Sequence, residues 1–177
     1  MLMLMLMRLK RLFKHRWQSD QLLRGALCSQ KLTQLTSAVQ RSESLHTGEI
    51  RVCVETGLPV SYLWRPDSIA VITHQRAVTM FSKLRVWDTA DNNGVLIYLL
   101  LAEKRIEIMA DRGLNSRVPE ETWQSIVASM RAEFKMNHFE VGLLAAIEQV
   151  SQLLTQHFAL TAEHTQVNEL PNEPDIR

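Results

Sequence analysis

Two adjoining segments in the middle of the chain restrict its fold more than any other feature. Residues Val95–Ala102 are almost all apolar and have the length of one strand, which is typical of a strand covered on both faces of a sheet. A polar pair, Glu103 and Lys104, follows, and Arg105–Ala110 then alternates charged and apolar residues. This pattern predicts a β-hairpin in which a buried strand is followed by an edge strand.

The segments around this hairpin predict further strands and helices. Glu49–Thr56 alternates in the manner of a first strand, and a helical pattern over Ile69–Leu84 separates it from the hairpin. Because a helical crossover between consecutive strands favours parallel pairing, these two strands are expected to run parallel. The remaining apolar patterns predict helices over Gln30–Leu45, Pro119–Met136 and Phe139–Phe158, and a short strand within Leu114–Val118. The sequence therefore predicts an α/β fold, a single-domain three-layer α/β/α sandwich with a small mixed β-sheet.

Three segments of different character are predicted along the chain. Its 177 residues fit one domain better than two. We expect a basic N-terminal segment over residues 1–28, the α/β/α domain over residues 29–160, and a disordered tail over residues 161–177, which are polar and contain prolines. At the end of the first helix, Ser42, Glu43 and His46 are expected on its polar side.

The positive charge of the chain is concentrated near its N-terminus. Residues 1–16 carry five lysines and arginines and no acid, which leaves the rest mildly acidic and argues against a nucleic-acid partner. An apolar Met-Leu repeat precedes these charges, the reverse of a secretion signal, and is too short to span a bilayer. We therefore expect a cytoplasmic protein. Residues 8–17 either form a loosely docked helix or make weak contact with the anionic inner face of the membrane.

The sequence shows none of the strong cofactor or catalytic motifs. The two cysteines, Cys28 and Cys53, lack the paired spacing of a zinc site and are expected to be reduced, with Cys53 buried. No phosphate-binding loop, dinucleotide fingerprint or nucleophile elbow is present, so no organic cofactor is expected and the catalytic residues are unknown.

Acidic and amide side chains are concentrated where three predicted strand ends meet. Glu49 opens the first strand, Asp88, Asp91 and Asn93 precede the second, and Asp111 follows the third. The predicted topology brings these ends to one edge of the sheet. Hard cations such as calcium bind carboxylate, amide and carbonyl oxygens, so these residues are candidate metal ligands. The alternative is that they serve only in turns and caps, which favour the same residue types.

Four segments together resemble the TPM domain family. They are Gly48–Val52, Asp91–Ala102, Arg105–Leu114 and Phe134–Leu143, within a resemblance that covers about residues 30–160. The resemblance implies an α/β/α sandwich and calcium binding at Asp88, Asp91, Asn93 and Asp111, with Glu49 nearby. It also implies weak acid phosphatase activity, which has been linked to members of the thylakoid lumen.

The chain departs from the usual pattern of this family in several respects. It is expected to belong to a short bacterial branch without signal peptide, membrane anchor or glycine-rich tail. Arg112 follows Asp111, where its cation offsets one carboxylate and weakens the case for tight metal binding.

Three functions remain open at this point. The first is a binding or accessory module for another protein, with a weak calcium or magnesium site on the acidic loops. The second is a metal-assisted, acid phosphatase-like hydrolase, in which a cation polarises a phosphoryl oxygen and Asp91 or Asp111 acts as ligand or base. The third is a peripheral membrane partner that uses residues 8–17.

Overall fold

The computed structural model describes residues 11–15, 27–161 and 168–177 of the chain. Four strands and six helices of this part are named in chain order, and residues 11–15 are also helical. The elements are α1 (Ser29–Glu43), β1 (Ile50–Glu55), α2 (Val60–Leu63), α3 (Ile69–Lys83), β2 (Val95–Leu100), β3 (Arg105–Ala110), α4 (Arg112–Asn115), α5 (Glu120–Lys135), α6 (Phe139–Phe158) and β4 (Asp175–Ile176).

The four strands form one mixed sheet in the order β3-β2-β1-β4. β1 and β2 pair in parallel, with Ile50 opposite Val95, after a crossover that contains α3. β3 returns antiparallel to β2, with Ala110 opposite Val95. The parallel pair and the edge hairpin predicted from the sequence are therefore confirmed. The hairpin turn is a 3-10 turn over Leu101–Glu103, closed by Lys104 in the left-handed region.

Helices cover both faces of this sheet. Ile50, Val52 and Val54 pack in one apolar cluster with α1, α5 and α6, whereas Cys53 and Tyr98 pack in a second with α2 and α3. Every residue of β1 and β2 is buried. The three-layer α/β/α sandwich is confirmed, and the burial of both faces explains the continuous apolar run of β2.

The end of the chain is part of the sheet. β4 pairs in parallel with β1, where Asp175 and Ile176 lie opposite Cys53 and Val54, and the Arg177 amide donates to the Val54 carbonyl at 2.9 Å. Residues 168–177 are thus not the disordered tail expected from their composition. Their few apolar side chains and their main-chain polar groups make contacts along β1. Amino-acid composition alone does not predict such contacts. Residues 162–167 of the expected tail lie outside the described residues.

Two local predictions also need correction. No strand forms within Leu114–Val118: Leu114 and Asn115 end helix α4 and the next three residues form a turn. The Asp111 carboxylate accepts a hydrogen bond from the Arg112 amide at 2.7 Å and caps this helical turn. At the end of α1, Ser42, Glu43 and His46 are buried rather than solvated. The C-terminal residues and α6 cover this side of α1.

The described part of the basic N-terminal segment contacts the domain. Lys14 forms an ion pair with Glu103 at 2.7 Å. The His15 ring lies 2.9 Å from the same carboxylate and accepts from the Leu58 amide at 3.0 Å. Residues 8–10, 16 and 17 of the segment 8–17 lie outside the described part, and the predicted membrane contact remains a prediction. Within the described ranges, none of the helices combines the length and apolar character needed to cross a membrane.

Candidate functional site

The loop before β2 and the turn after β3 form one continuous rim of the sheet. The Asp111 amide donates to the Gly94 carbonyl at 2.8 Å, and the Gly113 amide donates to the Asn92 carbonyl at 2.9 Å. A side chain at Gly113 would place its Cβ 2.5 Å from the carbonyl oxygens of Asp91 and Asn92. Glycine is therefore required for this close approach of the two segments.

Thr47 connects two of the predicted ligands on this rim. Its hydroxyl donates to Asp91 Oδ2 at 3.0 Å and accepts from Asn93 Nδ2 at 3.1 Å. Asn93 is 1% exposed, and its main-chain amide donates to Thr89. Asn93 Oδ1 is buried and has no hydrogen-bond partner among the residues that the structure describes. This arrangement leaves one amide oxygen ready to accept.

Asp111 presents a second buried oxygen of the same kind. Its Oδ1 caps α4, while its Oδ2 has no hydrogen-bond partner within the described part of the chain. The Arg112 guanidinium donates to Asn92 Oδ1 at 3.0 and 3.2 Å and so fastens the loop before β2 to the turn after β3. Asp91, Asn93 and Asp111 are hereafter called the acidic rim.

The other two predicted ligands have different surroundings. Asp88 is exposed and forms an ion pair with Arg85 at 2.8 Å. Glu49 is fully buried, and its Oε1 accepts from the Glu169 amide at 3.1 Å. In residues 11–15, 27–161 and 168–177, no group of three or more His, Cys, Asp or Glu side chains is arranged to hold a metal ion. Any cation at the acidic rim would therefore need amide and carbonyl oxygens beside the carboxylates.

Glu49 lies instead beside a second buried acid that sequence reasoning missed. Glu43 is 4% exposed and accepts from Asn172 Nδ2 at 2.6 Å, and its carboxyl group is a close neighbour of that of Glu49. Burial and the neighbouring Glu49 charge raise the pKa of Glu43 to about 8. Burial also raises the pKa of Glu49. We call Glu43 and Glu49 the carboxyl pair.

A third polar cluster lies at the opposite end of the parallel strands. Arg76 on α3 forms a bidentate ion pair with Glu55 at the end of β1, and the Tyr98 hydroxyl donates to the same carboxylate at 2.6 Å. Burial and the Glu55 charge raise the pKa of Tyr98. The cluster borders a cavity of about 460 Å³ that His15 and Arg177 also line. Sequence reasoning missed this cluster because its residues belong to three separate elements and no motif or spacing links them.

These features define a class of small α/β/α sandwich protein whose loops carry a polar rim at the amino ends of parallel strands. The profile of the TPM domain matches residues 23–153. The chain therefore belongs to the TPM domain family.

A solved structure supports this assignment. The chain is similar to the BA42 protein from the psychrophilic bacterium Bizionia argentinensis, known from an NMR structure, with a TM-score of 0.70 and 27% sequence identity. The similarity covers 85% of this chain and 95% of that protein. No protein with a curated description matches the chain.

Proposed function

We propose that this TPM domain is a binding module whose acidic rim takes a divalent cation, with calcium preferred over magnesium. The observation that carries the proposal is the pair of buried oxygens, Asn93 Oδ1 and Asp111 Oδ2, that lack hydrogen-bond partners in the described residues. A buried oxygen without a donor is unfavourable by about 1–3 kcal/mol, and a bound cation would remove that penalty.

The ligand types of the rim favour calcium. It offers the Asp91 and Asp111 carboxylates, the Asn93 amide and main-chain carbonyls, and calcium accepts such mixed oxygen sets with flexible geometry. Magnesium requires a stricter octahedron and retains its waters more strongly. The Arg112 guanidinium, bound to neighbouring Asn92, opposes cation binding by charge repulsion and predicts weak affinity.

We further propose that the partner of the rim is another protein and that the chain acts in the cytoplasm. Trp87 immediately precedes the loop and is 48% exposed. An exposed tryptophan beside polar groups is typical of residues that anchor protein interfaces. A cation at the rim would hold the loop that follows Trp87 in one conformation. Cation binding would therefore be coupled to partner binding.

The test is a titration of the full chain with calcium and then magnesium, followed by amide NMR. We expect shifts confined to residues 88–94 and 111–115, with calcium acting at lower concentration. Asp91→Asn and Asp111→Asn should weaken binding at least tenfold together, because each removes a ligand charge. Asparagine can still cap α4 at position 111, so the local fold is preserved.

Asp88→Asn is the matched control, because Asp88 is acidic, lies on the same loop and pairs with Arg85. It should leave the calcium affinity nearly unchanged. Absence of shifts at millimolar cation would refute the cation site, as would an equal loss of affinity in the control. Turnover of an aryl phosphate by the calcium-loaded protein, abolished in the double variant, would favour the hydrolase alternative instead.

A further inference from the structure

The terminal residues 168–177, called the C-terminal strap, are held on β1 mainly by polar contacts. The Glu169 amide donates to Glu49, and Asn172 Nδ2 donates to Glu43. The Arg51 guanidinium donates to the carbonyls of Pro171 and Glu173. The carboxyl pair therefore contacts the strap at two points and joins it to the α1–β1 connection.

The carboxyl pair has two buried oxygens that no donor in the described part of its surroundings satisfies, so the pair needs a proton. Glu43 Oε1 and Glu49 Oε2 are buried, and neither receives a hydrogen bond from any N–H or assigned O–H donor in the described residues. Two adjacent buried carboxylates repel each other strongly when both are charged. A proton on one of the two carboxyl groups removes one of the charges and relieves that repulsion.

The other titratable groups facing the pair do not supply a compensating cation. From the strap, the Glu169 carboxylate adds negative charge near Glu49 and accepts from the Ala90 amide. In the intervening turn, the His46 ring is buried and binds Ser42 and the Gly48 carbonyl. Burial lowers the pKa of His46 to about 4, so this ring is neutral when the pair ionises.

We propose that the carboxyl pair is a proton-dependent clasp for the C-terminal strap. While the pair holds its proton, the strap stays docked and covers the edge of β1. Loss of the proton places two charges in a buried site, and the strap detaches so that water can reach them. Detachment exposes the edge of β1 at Cys53 and Val54 to water. This inference does not depend on the cation proposed for the acidic rim.

The direction of the effect follows from proton linkage. In the released state the pair is hydrated, and its pKa values return toward the ordinary 4.5, whereas in the docked state the pKa of Glu43 is about 8. The docked state thus binds more protons between these values. The docking equilibrium constant is expected to fall by up to tenfold per pH unit across this interval and to level off above it.

The experiment is NMR of the full chain carrying a ¹³C-labelled Ile176 methyl, whose side chain packs partly against the core when docked. Spectra are recorded from about pH 5 to about pH 9. The chemical shifts of the glutamate side-chain carboxyl carbons are followed over the same range. We expect the docked signal to decline with the titration of the pair while core methyl signals stay unchanged. A strap signal that is constant across this range would overturn the proposal.

Glu43→Gln separates the clasp from a general pH effect. Its amide nitrogen can donate permanently to Glu49, and its oxygen can still accept from Asn172, so the strap should stay docked at every pH tested. Glu49→Gln is the equivalent replacement should the first variant fold poorly. Glu173→Gln is the control, because it removes an exposed strap charge away from the pair and should keep the wild-type pH dependence. An unchanged pH dependence in a folded glutamine variant of the pair would refute the clasp.

Discussion

Tyr98 on β2 donates a 2.6 Å hydrogen bond to Glu55 on β1, so a side-chain contact joins the two parallel strands beneath α3. Arg76 from α3 binds the same carboxylate, and the side chains of the ion pair are 6% and 2% exposed. A buried carboxylate is tolerated only when its lone pairs are occupied by donors. The stability of this layer therefore depends on two side chains, Tyr98 and Arg76, that donate to one buried carboxylate.

Replacing Tyr98 with phenylalanine should lower the free energy of unfolding by about 1.5–3 kcal/mol, as expected for a hydrogen bond to a charged group. Urea denaturation at neutral pH measures this change. Tyr62→Phe is the comparison, because its hydroxyl binds the neutral Thr79 and reaches the cluster through Arg76 rather than through a bond to the Glu55 carboxylate, so it should contribute less. Equal losses in the two variants would contradict the role assigned to Glu55.

The contribution of His46 to stability should fall on mild acidification, whereas the carboxyl pair contributes in the opposite direction over the same interval. Burial lowers the pKa of this ring from 6.5 to about 4, so between these values the unfolded chain binds a proton that the folded chain does not. The contribution is present above pH 6.5 and is lost as the pH falls toward 4, by about 2–3 kcal/mol. Denaturant titrations across this interval measure the slope.

His46→Asn should gain stability relative to the wild type as the pH falls toward 4, because the variant has no group to protonate at that position. His74→Asn should retain the wild-type slope, since His74 is an exposed partner of Glu107. If both variants keep the wild-type slope, another group is responsible for the acid sensitivity.

The two cysteines should differ sharply in reactivity. Cys28 is exposed, whereas Cys53 is buried on β1 with its thiol beside Asp175, and burial together with the Glu55 and Asp175 charges raises the pKa of that thiol. Because the thiolate is the reactive form, an aromatic disulfide reagent should modify only Cys28 in the folded protein. Cys28→Ser should abolish the fast reaction, and denaturant should restore reaction at Cys53. Rapid labelling of Cys53 at neutral pH would show that the strap does not protect it.

Gly113→Ala should disturb the acidic rim specifically. The added Cβ would lie 2.5 Å from two main-chain oxygens, so the turn after β3 must move away from the loop before β2. We expect a loss of about 1–3 kcal/mol in stability and weaker calcium binding. Asn115→Ala, on the exposed end of α4, should change neither quantity appreciably. Unaltered calcium shifts in Gly113→Ala would show that close contact between the two segments is unnecessary.

The sequence predicted the features that depend on local pattern. The apolar run of β2 and the alternation of β3 define the hairpin, and the crossover helix defines the parallel pair, so the rim position of Asp91, Asn93 and Asp111 followed from topology alone. These inferences need only the period of the apolar residues and the handedness of the connection.

The features that the sequence did not reveal depend on contacts with the strap. Asn172 binds Glu43, which lies 129 positions away in the sequence, and Glu169 binds Glu49, which lies 120 positions away. No periodicity links such distant residues, so Glu43 looked like the solvated end of a helix and Glu49 looked like a rim ligand. A polar segment with isolated apolar residues, here Leu170 and Ile176, is the signal that was available, but it is also common in disordered tails.

The pairing of β1 with β4 also bears on how the chain folds. Cys53 and Asp175 are 122 positions apart, so a large loop must close before the fourth strand is added, and contacts of such high sequence separation form slowly. Until then β1 is an edge strand with unpaired main-chain groups, which makes a partly folded chain prone to self-association. The few residues that complete the sheet therefore also protect the edge of β1 from pairing between chains.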